Sequence, residues 1–226
     1  EIARWITSYS RQGRWVTDSS HHLPLLSPGG RVRFSYHAGN TYLTELVLKL
    51  SDRGKPDRAA TMTPLFTGGG YNAAYNDKYE PIPVPISAAT KRVEVVAWIT
   101  GHGFGVELAN CAEFCNHTHH FSLAGDTYSH EHLYVGQNYG CAAQIEDGCV
   151  PNQFGTWTLG RGGWCPGMDV KAFVADVTAS VTPGEDAVVT YESLYNGQPY
   201  VPQPYDHGGG GFGSSIWMNS WLVTYE

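Results

Sequence analysis

The apolar residues of this chain recur with a period of two far more often than with the period of a helix. Arg31–Tyr36, Tyr42–Leu50, Arg92–Ile99, His117–Leu123, Asp169–Val177, Ala187–Tyr195 and Ile216–Tyr225 all read as strands. Glu1–Thr7 alternates in the same way, with Ile2 and Arg4 set against Ala3 and Trp5. Clusters of Gly, Pro, Asn and Asp separate these runs, which accounts for much of the 27 glycines and 13 prolines. The best helical stretch, Tyr71–Tyr79, is short and sits among Gly and Pro. A chain of this pattern folds as a sandwich of antiparallel sheets.

A length of 226 residues allows one large domain or one and a half small ones. The polar, turn-rich run Ser51–Asp57 marks a junction between 1–52 and 56–226. Residues 1–52 hold only a few strands, whose apolar side chains (Ile2, Trp5, Phe34, Leu46) need a partner sheet. A missing N-terminal segment or a second polypeptide is expected to supply it. A net charge of −7 without a basic stripe argues against nucleic acid as a partner. No apolar run reaches the roughly 18 residues that span a bilayer. Five cysteines in turn-flanked spacings favour an oxidising compartment, and so a secreted, extracellular or periplasmic protein; cytosolic thiols remain the alternative.

The sharpest chemical signal is Asn116-His117-Thr118-His119-His120. On a strand, His117 and His119 point to one face and Thr118 and His120 to the other. Two imidazoles on one face chelate a metal, and a thioether from a neighbouring strand can complete the set. Met218, in Ser214-Ser215-Ile216-Trp217-Met218, is the candidate, with Met168 as a competitor. Two nitrogens and a soft sulfur suit copper. His130-Glu131-His132 is a second pair at strand spacing without a recognisable third ligand, and His21-His22 reads as a surface loop. The His-Thr-His-His and Ser-Ser-x-x-Met segments resemble the oxygen-binding copper site of the peptidylglycine α-hydroxylating and dopamine β-monooxygenases. Ser35-Tyr36-His37-Ala38-Gly39 resembles the strand that gives those enzymes a histidine of their electron-transfer copper. The resemblance implies copper at His117, His119 and Met218, with His37 at the other site.

A second resemblance covers more of the chain. Arg4-Trp5-Ile6-Thr7, Cys111-Ala112-Glu113-Phe114-Cys115 and Arg161-Gly162-Gly163-Trp164-Cys165-Pro166-Gly167-Met168 are similar to segments of the peptide-N-glycosidase F family. Both families are tandem eight-stranded jelly rolls, so the resemblance implies an all-β protein of tandem antiparallel jelly-roll sandwiches, the first incomplete here. It implies disulfides Cys111–Cys115 and Cys141–Cys165 with Cys149 left over. It also implies a glycan-binding face of Phe114, Arg161 and Trp164, with Glu113 as the acidic group. His102, beside the cysteine loop, is placed to orient Glu113 or a substrate. The family's catalytic aspartate falls upstream of Glu1 in this comparison, and its second acidic residue falls near His37. The sequence therefore leads to copper-dependent monooxygenation first. A glycopeptide amidase or a non-catalytic binder of Asn-linked glycans is the alternative.

Overall fold

A computed structural model describes the protein except for residues 39–41, 52–53 and 55–56. Among the described residues, eight strands run in the order β1 (Ala59–Gly70), β2 (Ile82–Pro85), β3 (Arg92–Phe104), β4 (His117–Leu123), β5 (Asp126–Glu131), β6 (Phe173–Asp176), β7 (Asp186–Tyr195) and β8 (Phe212–Tyr225). They form two antiparallel sheets, ordered β1-β8-β3-β6 and β2-β7-β4-β5. This is jelly-roll order, in which successive strands mostly cross from one sheet to the other. The β4–β5 hairpin stays within one sheet, turning through Ala124 (φ 49°) and Gly125 (φ 91°). Left-handed backbone at both central residues matches the twist of a tight hairpin.

The inter-sheet core takes alternate residues from each strand. On β4 these are His117, His119, Phe121 and Leu123; β8 contributes Ile216, Met218 and Leu222, and β3 contributes Val93, Val95, Ala97 and Ile99. Strand β3 is buried on its other face as well, where Val96 and Trp98 meet Met62, Val223 and Tyr225. Residues 1–26 cover that outer face. Ile6 and Leu23 pack there, and Ile6 and Val170 tie the segment down through Ile6 N–H to Met168 O (2.9 Å) and Val170 N–H to Arg4 O (2.9 Å). A one-turn helix, α1 (Leu23–Leu26), ends this layer. The His21-His22 pair is not a surface loop. His22 is 1% exposed, and its ring lies 5.7 Å from that of Trp98.

The strands expected at Arg31–Tyr36 and Tyr42–Leu50 do not form, and Leu43 and Leu50 lie in the open. Alternation supplies one face of a strand but not its hydrogen-bonding neighbour, and neither edge of the described sheets pairs with these residues. Glu1–Thr7 contributes a single bridge, Trp5 to Asp169, and Asp169–Val177 shortens to β6. Strands β1, β2 and β5 are all edges, where Pro64, Pro83, Pro85 and the polar Asp126–Glu131 are tolerated. Most of the expected junction at 51–57 lies outside the described residues. No helix among the described residues is long and apolar enough to cross a membrane.

Candidate functional site

At one end of the first sheet the outward face of β3 and β8 carries a run of aromatic rings. Trp217 and His102 meet at 4.8 Å between ring centres, and His102 stacks on Trp164 at 5.3 Å. The Arg161 guanidinium lies 4.9 Å from the Trp164 ring and 5.5 Å from that of Phe114. Phe114 meets Phe104 at 6.5 Å, and Phe104 meets Phe212 at 5.3 Å. The result is one continuous arc of flat groups whose ends face solvent, with Trp217 60% and Phe212 51% exposed. Arg4 braces the arc from the N-terminal layer, its Nη1 donating to Thr100 Oγ1 and to the Trp217 carbonyl, both at 2.7 Å.

His102 is held between its neighbours by Thr100 (Nε2 to Oγ1, 2.9 Å) rather than turned toward Glu113. Burial, with help from Arg4, lowers its pKa to about 4. The ring is therefore neutral when folded but takes a proton below about pH 6.5 when unfolded. Stability contributed here is lost as pH falls from about 6.5 toward 4, by up to about 1.4 kcal/mol per pH unit. Unfolding by urea at pH 7 and pH 5 checks this: His102→Gln, which keeps a partner for Thr100, should lose less stability than the parent on acidification. Equal losses would remove His102 from the account.

The cysteine loop sits against the arc. Cys111 and Cys115 are bridged (Cα–Cα 4.8 Å), as are Cys141 and Cys165 (5.6 Å), while Cys149 is free and buried, the pairing implied by the resemblance. Strand β3 packs on this loop through Gly101, where a Cβ would meet the Ala112 carbonyl oxygen at 2.2 Å. Between the bridged cysteines Glu113 is 6% exposed. It accepts from Gly103 N–H (3.2 Å) and from Arg161 Nε–H (3.2 Å). Desolvation outweighs both, and its pKa is raised above the ordinary carboxyl value.

Arg161 does not offer its fork to solvent. Its remaining donors go to the carbonyls of Leu159 and Thr156, both at 2.9 Å, so it positions Glu113 and supports the rings rather than reaching for a ligand. Trp164 likewise spends its indole N–H on Gly101 O (2.9 Å) and presents ring faces only.

The expected metal ligands are distributed differently from the sequence reading. His117 and His119 share the inward face of β4 and are fully buried. Met218 does not come from a neighbouring strand, because β4 is flanked by β5 and β7; it points inward from β8 in the facing sheet. The residue that joins the pair is His132, just past β5. His37 is exposed, in the segment without strands. Glu107 escaped the sequence reading as well. It is 4% exposed, accepts a hydrogen bond from Tyr200, and borders a cavity of about 240 Å³. No motif marks it out, whereas the spacing of His130 and His132 was a usable signal.

A family profile described as peptide-N-glycosidase F, C terminal, matches residues 70–223. The chain belongs to that family. Among solved structures it is similar to a peptide-N(4)-(N-acetyl-β-D-glucosaminyl) asparagine amidase. The identity is 20% and the TM-score 0.52, covering 74% of this chain and 53% of that one. Peptide-N-glycosidase F of Flavobacterium meningosepticum, a glycosylasparaginase, shows 19% identity and a TM-score of 0.46 over 73% of this chain and 51% of its own. The structure of PNGF-II shows 14% identity and a TM-score of 0.48 over 74% and 30%. None of the curated protein sequences matches. The chain thus spans about half the length of the amidase it resembles, and the family membership rests on residues 70–223, which carry the arc and the cysteine loop.

Proposed function

We propose that this protein recognises Asn-linked glycans and serves as the glycan-facing part of an amidase of the peptide-N-glycosidase F type. The observation that carries this reading is the arc from Trp217 through His102, Trp164 and Phe114 to Phe212, built on residues 70–223. Flat rings suit the apolar faces of sugars, and the protected carboxyl of Glu113 lies against the arc at Arg161. Glu113 supports the chemistry as a carboxyl held in place by Arg161 and Gly103 rather than as an exposed nucleophile. Two disulfides fit a secreted protein. A further polypeptide segment that covers the exposed apolar residues between 31 and 50 belongs to the same proposal. Copper-dependent oxygenation, the first expectation from sequence, gains no support from the family match, which favours the glycan-directed alternative.

Calorimetry with a glycopeptide bearing an Asn-linked core glycan tests the reading. Binding is expected, weakened about tenfold or more by Trp217→Ala and by Trp164→Ala, since stacked aromatic contacts contribute on the order of 1 kcal/mol or more each. No binding, or binding indifferent to both substitutions, would sink it. Mass spectrometry of the same glycopeptide separates amidase from binder: hydrolysis turns the glycosylated asparagine into aspartate, and Glu113→Gln should slow that step while leaving affinity in place.

A further inference from the structure

The histidine corner of the inter-sheet core has no part in the glycan reading, yet it is too specific to be packing alone. His117 and His119 are 0% exposed and His132 is 8% exposed. In each of the three, Nε2 is buried without a hydrogen-bond partner. For His117 the other nitrogen lies 3.1 Å from Cys115 O, and a carbonyl can only accept, so Nδ1 carries the proton and Nε2 is a bare lone pair. His119 Nδ1 is 2.7 Å from the Tyr191 hydroxyl, which holds that ring in place from behind. Three buried imidazoles with unpaired Nε2 atoms, two of them oriented through Nδ1, form the inside of a chelate.

From this we propose that His117, His119 and His132 bind one divalent transition-metal ion of the zinc–copper class. One ligand atom from each residue lies within 4.8 Å of the others. Ring centres are separated by 5.0 Å (His117–His119), 5.5 Å (His117–His132) and 5.8 Å (His119–His132). Three imidazoles around a tetrahedral ion at about 2.0–2.1 Å would hold their ring centres about 5 Å apart, so small shifts close the site. An all-nitrogen set suits zinc and copper, and the absence of oxygen ligands from it disfavours calcium and magnesium. The fold makes the set by register: His119 pairs with His130 across the β4–β5 hairpin, which carries His132 to the side of His117. His130 is a neighbour of the set and not a member, with its ring 4.8 Å from that of His132. Gly163 closes the corner from the arc side, where a Cβ would strike His132 Cε1 at 2.5 Å. An ion here would stiffen the loop that presents Trp164. The proposal stands on residues that the glycan reading does not use, so either can fail without the other.

The test uses the full chain, stripped with a chelator and titrated with Zn(II) and, separately, Cu(II) against a competing indicator. One ion per chain is expected at micromolar protein or below, with a rise in unfolding temperature for the loaded form. His132→Ala should weaken binding by at least about 100-fold, as befits loss of a direct ligand. His130→Ala and Met218→Leu should change it by no more than a few-fold. Should His132→Ala not fold, Co(II) absorption by the parent chain decides: a tetrahedral nitrogen spectrum supports the site, and no spectrum overturns it. Failure of the parent to bind zinc or copper, binding that survives His132→Ala, or binding abolished by Met218→Leu would each overturn the three-histidine set.

Discussion

Replacing Arg161 by methionine is expected to destabilise the protein by about 3–5 kcal/mol at pH 8, the cost of stranding a buried charge beside a lost partner. The group stranded is Glu113, whose carboxyl and the Arg161 guanidinium have side chains only 7% and 5% exposed. The loss should depend on pH in a defined direction. Burial already raises the Glu113 pKa, and Arg161 is one of the influences holding it down. Without Arg161 it rises further, so the folded variant prefers the neutral acid. Its deficit is then smallest near pH 4 and grows as pH rises through the folded pKa, while the unfolded carboxyl ionises freely. Urea unfolding of parent and variant at pH 8 and 5 measures this. Arg161→Met combined with Glu113→Gln should recover more than half of the loss at pH 8, because the unpaired charge is gone. A deficit independent of pH would show that Arg161 acts by packing alone.

Trp98→Ala should cost a comparable 3–5 kcal/mol or so, the range for emptying a large buried aromatic site. Trp98 is 1% exposed, with the rings of His21, His22 and Trp221 at 5.1, 5.7 and 5.6 Å. It packs between the first sheet and residues 1–26, so the damage should be local before it is global. Limited proteolysis ought to cut the variant within residues 1–30 at protease levels that leave the parent whole. Cleavage inside the β-strands at the same rate would mean that the sandwich itself had loosened.

Apart from β6, an edge that the reading made too long, the strands that sequence revealed are those in the middle of sheets. β3, β4, β7 and β8 have neighbours on both sides and cores to face, so their alternation is strong. The edge strands β1, β2 and β5 were hidden because edges tolerate the proline and polar residues that pattern reading treats as breaks. At the site, Glu113, Phe114, Arg161 and Trp164 were legible because they stand in distinctive segments around cysteines. His132 was seen only as half of a local pair. Its convergence on His117 depends on hairpin register, and sequence does not state which residue faces which across a turn. Arg161 shows the opposite limit, since its segment was plain but the inward direction of its fork was not.

The stretch by which this chain is recognised is not the stretch that folds. The family profile begins at residue 70, the last residue of β1, yet β1 pairs with β8 along most of its length. Ahead of it, residues 1–26 lie on Trp98 and the neighbouring rings. A laboratory that trims the protein to its recognisable span would release an unpaired sheet edge together with an apolar face, and should anticipate inclusion bodies. Beginning at Ala59 restores the edge but leaves the face uncovered. The smallest soluble unit to clone is therefore one that keeps the leading layer attached.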